Sequence, residues 1–349
     1  MRGCAGDPAV SVLLPCRNAE AWLDACLDSL FAQTCSDFEL IVVDDGSTDG
    51  TADILHDRAR TENRIRFLAG PLEGQRPGLV GSLIRAVAAA RAPLLARMDA
   101  DDICLPGRLA AQVDFLSRHR DVAACGTSVR LFPRSAMKSG YRRYESWLNG
   151  RLTPESVRAD LFVECPIAHP SLMIRASVLR GLGGYRDAGW PEDYDLLLRL
   201  HAAGMRAANL PEVLLEWRVR PARHSLRSDR YSAVAFRRCK VHFLKAAFLP
   251  ADRPLVVWGA GKVGKPLARE LARQGLRVAA FVDLDPRKIG QTIHGAPVHS
   301  PDGFAKLSSD PERGPYVLVA VGSSGARAQI RDALREMRKR EIVDYRVCA

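Results

Sequence analysis

The chain of 349 residues has no run of about 18 uncharged apolar residues, which removes the usual signal of a membrane-crossing helix. Residues 1–8 lack the apolar centre of a secretory signal, so the chain is expected to stay in the cytoplasm. It has no Cys-x-x-Cys pair and no histidines clustered at zinc spacing. Its nine cysteines, an odd number, therefore read as reduced, mostly buried thiols rather than a disulfide frame or a zinc site. No aromatic ribonucleoprotein repeat is present either, and nucleic acid is not an expected partner.

What is there is an ordinary globular composition. Apolar residues make up 47% of the chain, enough for real cores, and a length prior of roughly 150 residues per domain predicts about two domains. The formal charge of +11 comes chiefly from arginine, which suits planar or bidentate recognition of phosphate. Partners should be anionic: phosphate-bearing small molecules or an anionic membrane surface.

Strand and helix signals alternate from the start. Residues 10–14 are a short apolar run ended by Pro15, and 19–33 show helical spacing at Trp22, Cys26, Leu27 and Leu30. A second buried strand is predicted over 38–43, closed by the polar loop 44–51 before a helix to about Arg60. A strand over 64–68, a helix over 78–90 and a strand over 94–98 follow, then a helix over 105–119 and a strand over 122–131. This pattern predicts an α/β fold, a mostly parallel sheet flanked by helices, with the loops after the strands forming one rim. On that rim fall Pro15, Arg17 and Asn18, then Asp44 and Asp45, then Asp99 and Asp101. Gly46 suits a positive φ and Ser47 or Thr48 suits a helix cap, but that turn requires neither Asp44 nor Asp45.

Residues 96–103 organise the rest. Asp99, Asp101 and Asp102 fall within four positions, directly after the apolar run 92–98. Carboxylates so close repel one another unless a cation neutralises them, and Mg2+ or Mn2+ takes oxygen ligands. With Ala100 between them, Asp99 and Asp101 are expected on one side of the chain, at the end of a strand where ligands of parallel sheets collect. The competing explanation makes 102–106 a helix start with Asp102 near the cap, yet a cap needs one acid and this stretch has three.

Residues 11–18, 38–51 and 96–102, with Pro106, Arg108 and Leu109, resemble the nucleotide-sugar domain of family 2 glycosyltransferases over roughly residues 9–225. The resemblance implies a GT-A fold and an inverting transfer from a nucleotide-diphosphate sugar, a UDP-sugar above all, to a glycan or lipid-linked hydroxyl. It implies that Asp45, with Asp44 alongside, contacts the base. Asp99 and Asp101 would meet the ribose and the divalent ion, Mg2+ or Mn2+, bridging the phosphates, with Pro15, Arg17 and Asn18 in the same donor site. Residues 165–174, which include His169, and 183–185 match segments on the family's acceptor side, although a histidine beside a proline is often only a structural partner.

A helix is predicted from Pro191, with an apolar stripe at Leu196, Leu197 and Leu200. The helix dipole alone would favour Glu192 and Asp193 in its first turn. The family's Glu-Asp pair implies more, namely that Asp193 takes the proton from the acceptor hydroxyl. A downstream histidine often supplies a third metal ligand in the family, and His224 is the candidate; the arginines around it, Arg218, Arg220 and Arg223, are alternatively a diphosphate clamp.

Residues 232–249 predict a helix bearing Arg237, Arg238, Lys240, His242 and Lys245. The plainer reading is a solvated connector; the other lays its basic face on the inner surface of a membrane that holds a lipid-linked acceptor. Pro250 and Pro254 mark a linker. The expected organisation is a GT-A domain at 1–225, a helical connector and linker at 226–252, and a smaller Rossmann-like α/β domain at 253–349. In the last, a strand runs into Gly259-x-Gly261-x-x-Gly264, and Asp283 closes the next strand at about the spacing of an acid that binds a ribose, roughly 20 residues on.

This segment resembles the nucleotide-binding domains of oxidoreductases and, more closely, those fused to sugar-modifying enzymes, through 281–286 and 295–298. A bound nucleotide is implied. A docking role is the competing reading, since glycines at a strand-to-helix turn also serve packing. Two other functional classes are an NAD-dependent oxidoreductase and a non-catalytic nucleotide-sugar-binding protein. The first lacks room for a hydride-transfer partner, and Asp101 with Asp193 argues against the second.

Overall fold

The computed structural model describes residues 7–68, 78–220, 228–307 and 314–349. The chain forms two compact units, Met1–Val157 with Pro166–Arg227, and Arg158–Cys165 with Ser228–Ala349.

The first unit is built on eight strands: β1 (Val10–Cys16), β2 (Phe38–Asp44), β3 (Ile65–Leu68), β4 (Leu94–Arg97), β5 (Ile103–Cys104), β6 (Val122–Phe132), β7 (Met173–Arg175) and β8 (Arg206–Arg218). Their order in the sheet is β3-β2-β1-β4-β7-β6-β8-β5. The first four are parallel to one another, β7 runs against both β4 and β6, β8 runs with β6, and β5 runs against β8. Both β1 and β2 are buried along their whole length, as strands of a parallel sheet covered on both faces are. Pro15 does not end β1, because its fixed φ suits extended backbone; it pairs with Val43 and the strand runs on to Cys16.

From β1 the chain builds to one side through β2 and β3, then returns to the other side at β4. The strand order thus reverses between β1 and β4, and the crevice beyond their carboxyl ends is where such sheets bind ligands. The predicted helix start at Leu105 moves to Arg108, after Gly107 at φ +86°, because Ile103 and Cys104 pair with β8 instead. No strand is predicted at β8. Pro211 and the exposed Glu212 and Val213 break its pattern where the register against β6 shifts.

The second unit holds β9 (Leu255–Trp258), β10 (Val278–Val282), β11 (Thr292–Ile293), β12 (Ala296–His299), β13 (Tyr316–Val319) and β14 (Tyr345–Val347), in the order β11-β12-β10-β9-β13-β14. Among the described residues of this unit, only β11 and β12 pair antiparallel. Arg158–Cys165 packs here rather than with the residues around it in sequence. Asp160 pairs with Arg331 at 2.6 Å, and Phe162 meets the Phe248 ring and the Arg346 guanidinium. The stretch 1–225 is therefore not one unbroken body.

Lys240 also departs from its expected place on a basic face. It is buried, and its Nζ donates to the carbonyls of Val163 and Cys348, at 2.8 and 3.2 Å. No helix among the described residues is long and apolar enough to cross a membrane. The described cysteines are free and all but Cys35 are buried; burial pushes the Cys125 thiol up to about 12 and keeps it protonated.

Candidate active site

A cleft of about 440 Å3 opens at the carboxyl ends of β1, β2 and β4, and Pro15, Arg17, Asn18, Asp45, Asp99 and Asp101 all line it. The chain's local chemistry sets this rim. Asn18, at φ +48°, accepts the Thr48 N–H on Oδ1 at 2.8 Å, while its own N–H donates to Ser47 Oγ at 2.9 Å, so the first loop is tied to the second. Asp44 accepts both the N–H and the hydroxyl of Ser47, at 3.1 and 2.5 Å, and braces the loop rather than facing the cleft. Neither Ser47 nor Thr48 caps the next helix, Thr51–Thr61; Asp49 takes the N–H and hydroxyl of Thr51 there. Asp45 receives the Gly78 N–H on Oδ1 at 2.9 Å and donates its own N–H to Cys16 O. Gly46 adopts the positive φ its position predicts, +72°.

The acid cluster meets a different partner at each carboxylate. Asp99 pairs with Arg97 at 2.5 Å and Asp101 with Arg220 Nε at 2.7 Å. Asp102, fully buried, accepts the backbone N–H of Arg218 at 2.7 Å, and Arg218 Nε donates to the carbonyl of Asp101 at 2.7 Å. Asp102 is therefore no helix cap; it fastens the acid loop to the end of β8. Arg108, also buried, donates to the carbonyl of Arg97 at 2.7 Å and holds the stem of the same loop.

Ligand oxygens of Asp99, Asp101 and Asp102 lie within 4.8 Å of one another. This all-oxygen set fits a hard divalent cation, although Asp102 is already engaged and Asp99 and Asp101 are the pair that faces the cleft. His224 lies outside the described residues.

Behind the acids is a buried polar group of which only His169 and Glu192 are expected from the sequence. Arg97 is only 3% exposed. Burial alone would lower its pKa, but the Asp99 carboxylate outweighs that and holds the guanidinium charged. Tyr185 and Glu192 lie close enough for their charges to act on it. His169 Nε2 shares a hydrogen bond of 2.9 Å with the Tyr185 hydroxyl, and its Nδ1 is 3.7 Å from Glu192 Oε1. Burial, helped by Arg97, pushes His169 well below the usual histidine range, so the ring is neutral; burial pushes Tyr185 up, so its hydroxyl keeps its proton. His169 thus sits inside the protein.

Glu192 and Asp193 open the helix Glu192–Ala202, as their spacing predicts, with Glu192 buried and Asp193 half-buried. Asp193 Oδ1 accepts the Tyr194 N–H at 2.7 Å, and its charge reaches Tyr185. A series of ion pairs, hydrogen bonds and charge interactions therefore runs from the acid loop through Arg97 to the start of this helix.

The profile of Glycosyl transferase family 2 matches residues 11–183. EpsE of Bacillus subtilis is 32% identical over 230 residues, covering 64% of this chain and 78% of that protein. The O-antigen biosynthesis glycosyltransferase WbnJ of Escherichia coli is 30% identical over 240 residues, covering 68% and 87%. The chain belongs to glycosyltransferase family 2. The amylovoran biosynthesis glycosyltransferase AmsE of Erwinia amylovora is 30% identical over 210 residues, covering 60% and 75%. Among solved structures, S. aureus TarS 1-349 in complex with UDP-GlcNAc shares the fold with a TM-score of 0.55 at 19% identity, over 76% of this chain and 72% of that one. Membership of this transferase family does not favour the oxidoreductase alternative.

In the second unit of this family 2 glycosyltransferase, the three glycines differ in kind. Gly259 has φ +117°, and a Cβ there would lie 2.5 Å from Ala320 O; at Gly264 it would lie 1.7 Å from Gly259 O. Both serve backbone packing between β9, β13 and the helix Gly264–Arg273. At Gly261 a Cβ would meet nothing within 4 Å. Asp283 is occupied: its Oδ2 accepts from Ala260 N–H at 2.8 Å and Lys288 Nζ at 3.0 Å, and its Oδ1 accepts from Asp285 N–H at 2.9 Å. It pins the glycine turn, a role its spacing does not reveal.

Proposed function

We propose that this glycosyltransferase moves a sugar from a nucleotide-diphosphate donor, a UDP-sugar, to a hydroxyl of a glycan or lipid-linked acceptor, with inversion at the anomeric carbon. The observation that carries the reading is the convergence of Asp45, Asp99 and Asp101 on one cleft at the strand-order reversal between β1 and β4. Relatives named for O-antigen and amylovoran biosynthesis support a polysaccharide product, and the UDP-GlcNAc bound by TarS supports the donor class.

In this reading Asp45 receives the base, Asp99 the ribose, and Pro15, Arg17 and Asn18 complete the donor site. Asp99 and Asp101 hold a divalent ion, Mg2+ or Mn2+, with His224 the candidate for a third ligand; when bound, the ion supplies Lewis-acid charge beside the departing diphosphate. Asp193 accepts the proton of the attacking hydroxyl as the bond from C1 to the acceptor oxygen forms and the bond from C1 to the diphosphate oxygen breaks. Glu192, His169 and Tyr185 hold the start of the Asp193 helix on the acceptor side, and Arg97 fixes Asp99 on the donor side. Scanning fluorimetry of the full chain with UDP-, GDP- and dTDP-sugars, with Mn2+ or chelator, tests this. A UDP-sugar should raise the melting temperature only with Mn2+, and NMR of the product should show the opposite anomer. Stabilisation by no sugar nucleotide, with or without Mn2+, sinks the reading.

A second site is favoured by a separate observation. The glycine turn lies where the second sheet reverses between β9 and β13, and of Gly259, Gly261 and Gly264 only Gly261 keeps open space above it. Backbone left bare at a helix N-terminus suits a phosphate, so this unit takes a nucleotide there, with Asp283 shaping the turn. Calorimetry on the full chain with the donor cleft disabled by Asp101→Asn should still detect one nucleotide site.

A further inference from the structure

Asp101 and Arg220 stand 2.7 Å apart in the donor cleft, and both line it. The two arginines on the acid cluster are not alike. Arg97 is 3% exposed and locked, whereas the Arg220 side chain is 31% exposed and rests its guanidinium 4.4 Å over the Trp22 ring. An aromatic face is a resting place for a weakly hydrated, planar cation. A carboxylate oxygen engaged by a guanidinium is less available to a metal, since both compete for the same lone pairs and the same negative charge.

We propose that Arg220 is the counter-charge that Asp101 exchanges for the divalent ion, and that the guanidinium so released turns to the donor's diphosphate. This rests on the reading above that Asp101 is a metal ligand. The exchange keeps charge balanced at each stage: the free carboxylate is covered by arginine, and once a cation takes its place the arginine still lies beside the cleft, where two phosphates bring new negative charge. Arg97 cannot take this part, being buried and paired with Asp99, with the charges of Tyr185 and Glu192 also acting on it.

The consequence is a pair of effects of opposite sign. Removing the guanidinium should tighten Mn2+ alone, by roughly fivefold, the worth of one partly exposed ion pair. It should weaken UDP in saturating Mn2+ by about tenfold or more, the loss of a charge-assisted bidentate contact. The experiment is Mn2+ binding by electron paramagnetic resonance, then UDP calorimetry, on the full-length wild type, Arg220→Gln and Arg220→Lys. Trp22 fluorescence, assigned with Trp22→Phe, should change when Mg2+ and UDP are added to the wild type and stay still in Arg220→Gln. Tighter Mn2+ with weaker UDP in Arg220→Gln, and an intermediate Arg220→Lys, supports the exchange. Unchanged or weaker Mn2+ binding in Arg220→Gln, with the wild type binding Mn2+, overturns the exchange and leaves the metal reading intact. Mn2+ binding by none of the proteins overturns both.

Discussion

The Arg97 guanidinium lies 2.5 Å from the Asp99 carboxylate with almost none of its surface in water, while Asp99 reaches the cleft. Substituting Asp99 therefore does two things at once: it removes a carboxylate oxygen from the cleft and it takes from a buried cation the anion paired with it. Asp99→Asn should lower the stability of the first unit by about 3 kcal/mol, the lower end for breaking a buried pair, because Glu192 still acts on Arg97. Asp101→Asn, whose partner Arg220 is one-third exposed, should melt within a degree or two of wild type while losing metal-dependent donor binding. Calorimetric melts alongside UDP titrations with and without chelator distinguish the two; equal melting temperatures for both variants would refute the buried-pair argument.

Asp193 sits at the first turn of its helix, half-buried and not among the residues that line the cleft at Asp99 and Asp101. Asp193→Asn should cut kcat by about 10²- to 10⁴-fold, the usual worth of a positioned base, and leave the Kd for UDP within about twofold. Transfer at a near wild-type rate would assign the base elsewhere.

His169 makes the first unit sensitive to mild acid. Its folded pKa is held well below the unfolded value of about 6.5, so below that pH the unfolded chain takes up a proton that the folded chain refuses. Stability is full above pH 6.5 and falls by about 1.4 kcal/mol per unit as pH drops below it, until the folded ring itself protonates. The Tyr185 hydroxyl and the Glu192 carboxylate lie against the two ring nitrogens, and the charge of Arg97 acts on the ring. In His169→Gln that slope between pH 6.5 and 5 should shrink by about one proton's worth relative to wild type. Identical urea midpoints against pH in the two proteins contradict the assignment.

The glycines of the second unit should separate stability from binding. Gly264→Ala places a methyl 1.7 Å from Gly259 O and should destabilise that unit by several kcal/mol, on the order of a severe overpacking. A Cβ at Gly261 meets nothing within 4 Å, so Gly261→Val should melt close to wild type while its nucleotide affinity falls. Unchanged binding in a folded Gly261→Val protein would favour docking as the role of this turn.

Sequence alone was enough for whatever depends on neighbours along the chain. The buried runs of β1, β2 and β4 and the polar residues directly after them place Asp45, Asp99 and Asp101 at strand ends, because period and strand length are local properties. The start of the helix at Glu192 was legible for the same reason. What the acids are bound to was not legible. Arg218 reaches Asp101 and Asp102 from 117 and 116 positions away, Arg220 reaches Asp101, and Ser228–Ala349 gathers in Arg158–Cys165. An acid cluster without a cation is unstable wherever it occurs, so the sequence called for a counter-charge; that two arginines already supply it to Asp99 and Asp101 is a property of three-dimensional packing, which brings long side chains together irrespective of their distance in sequence.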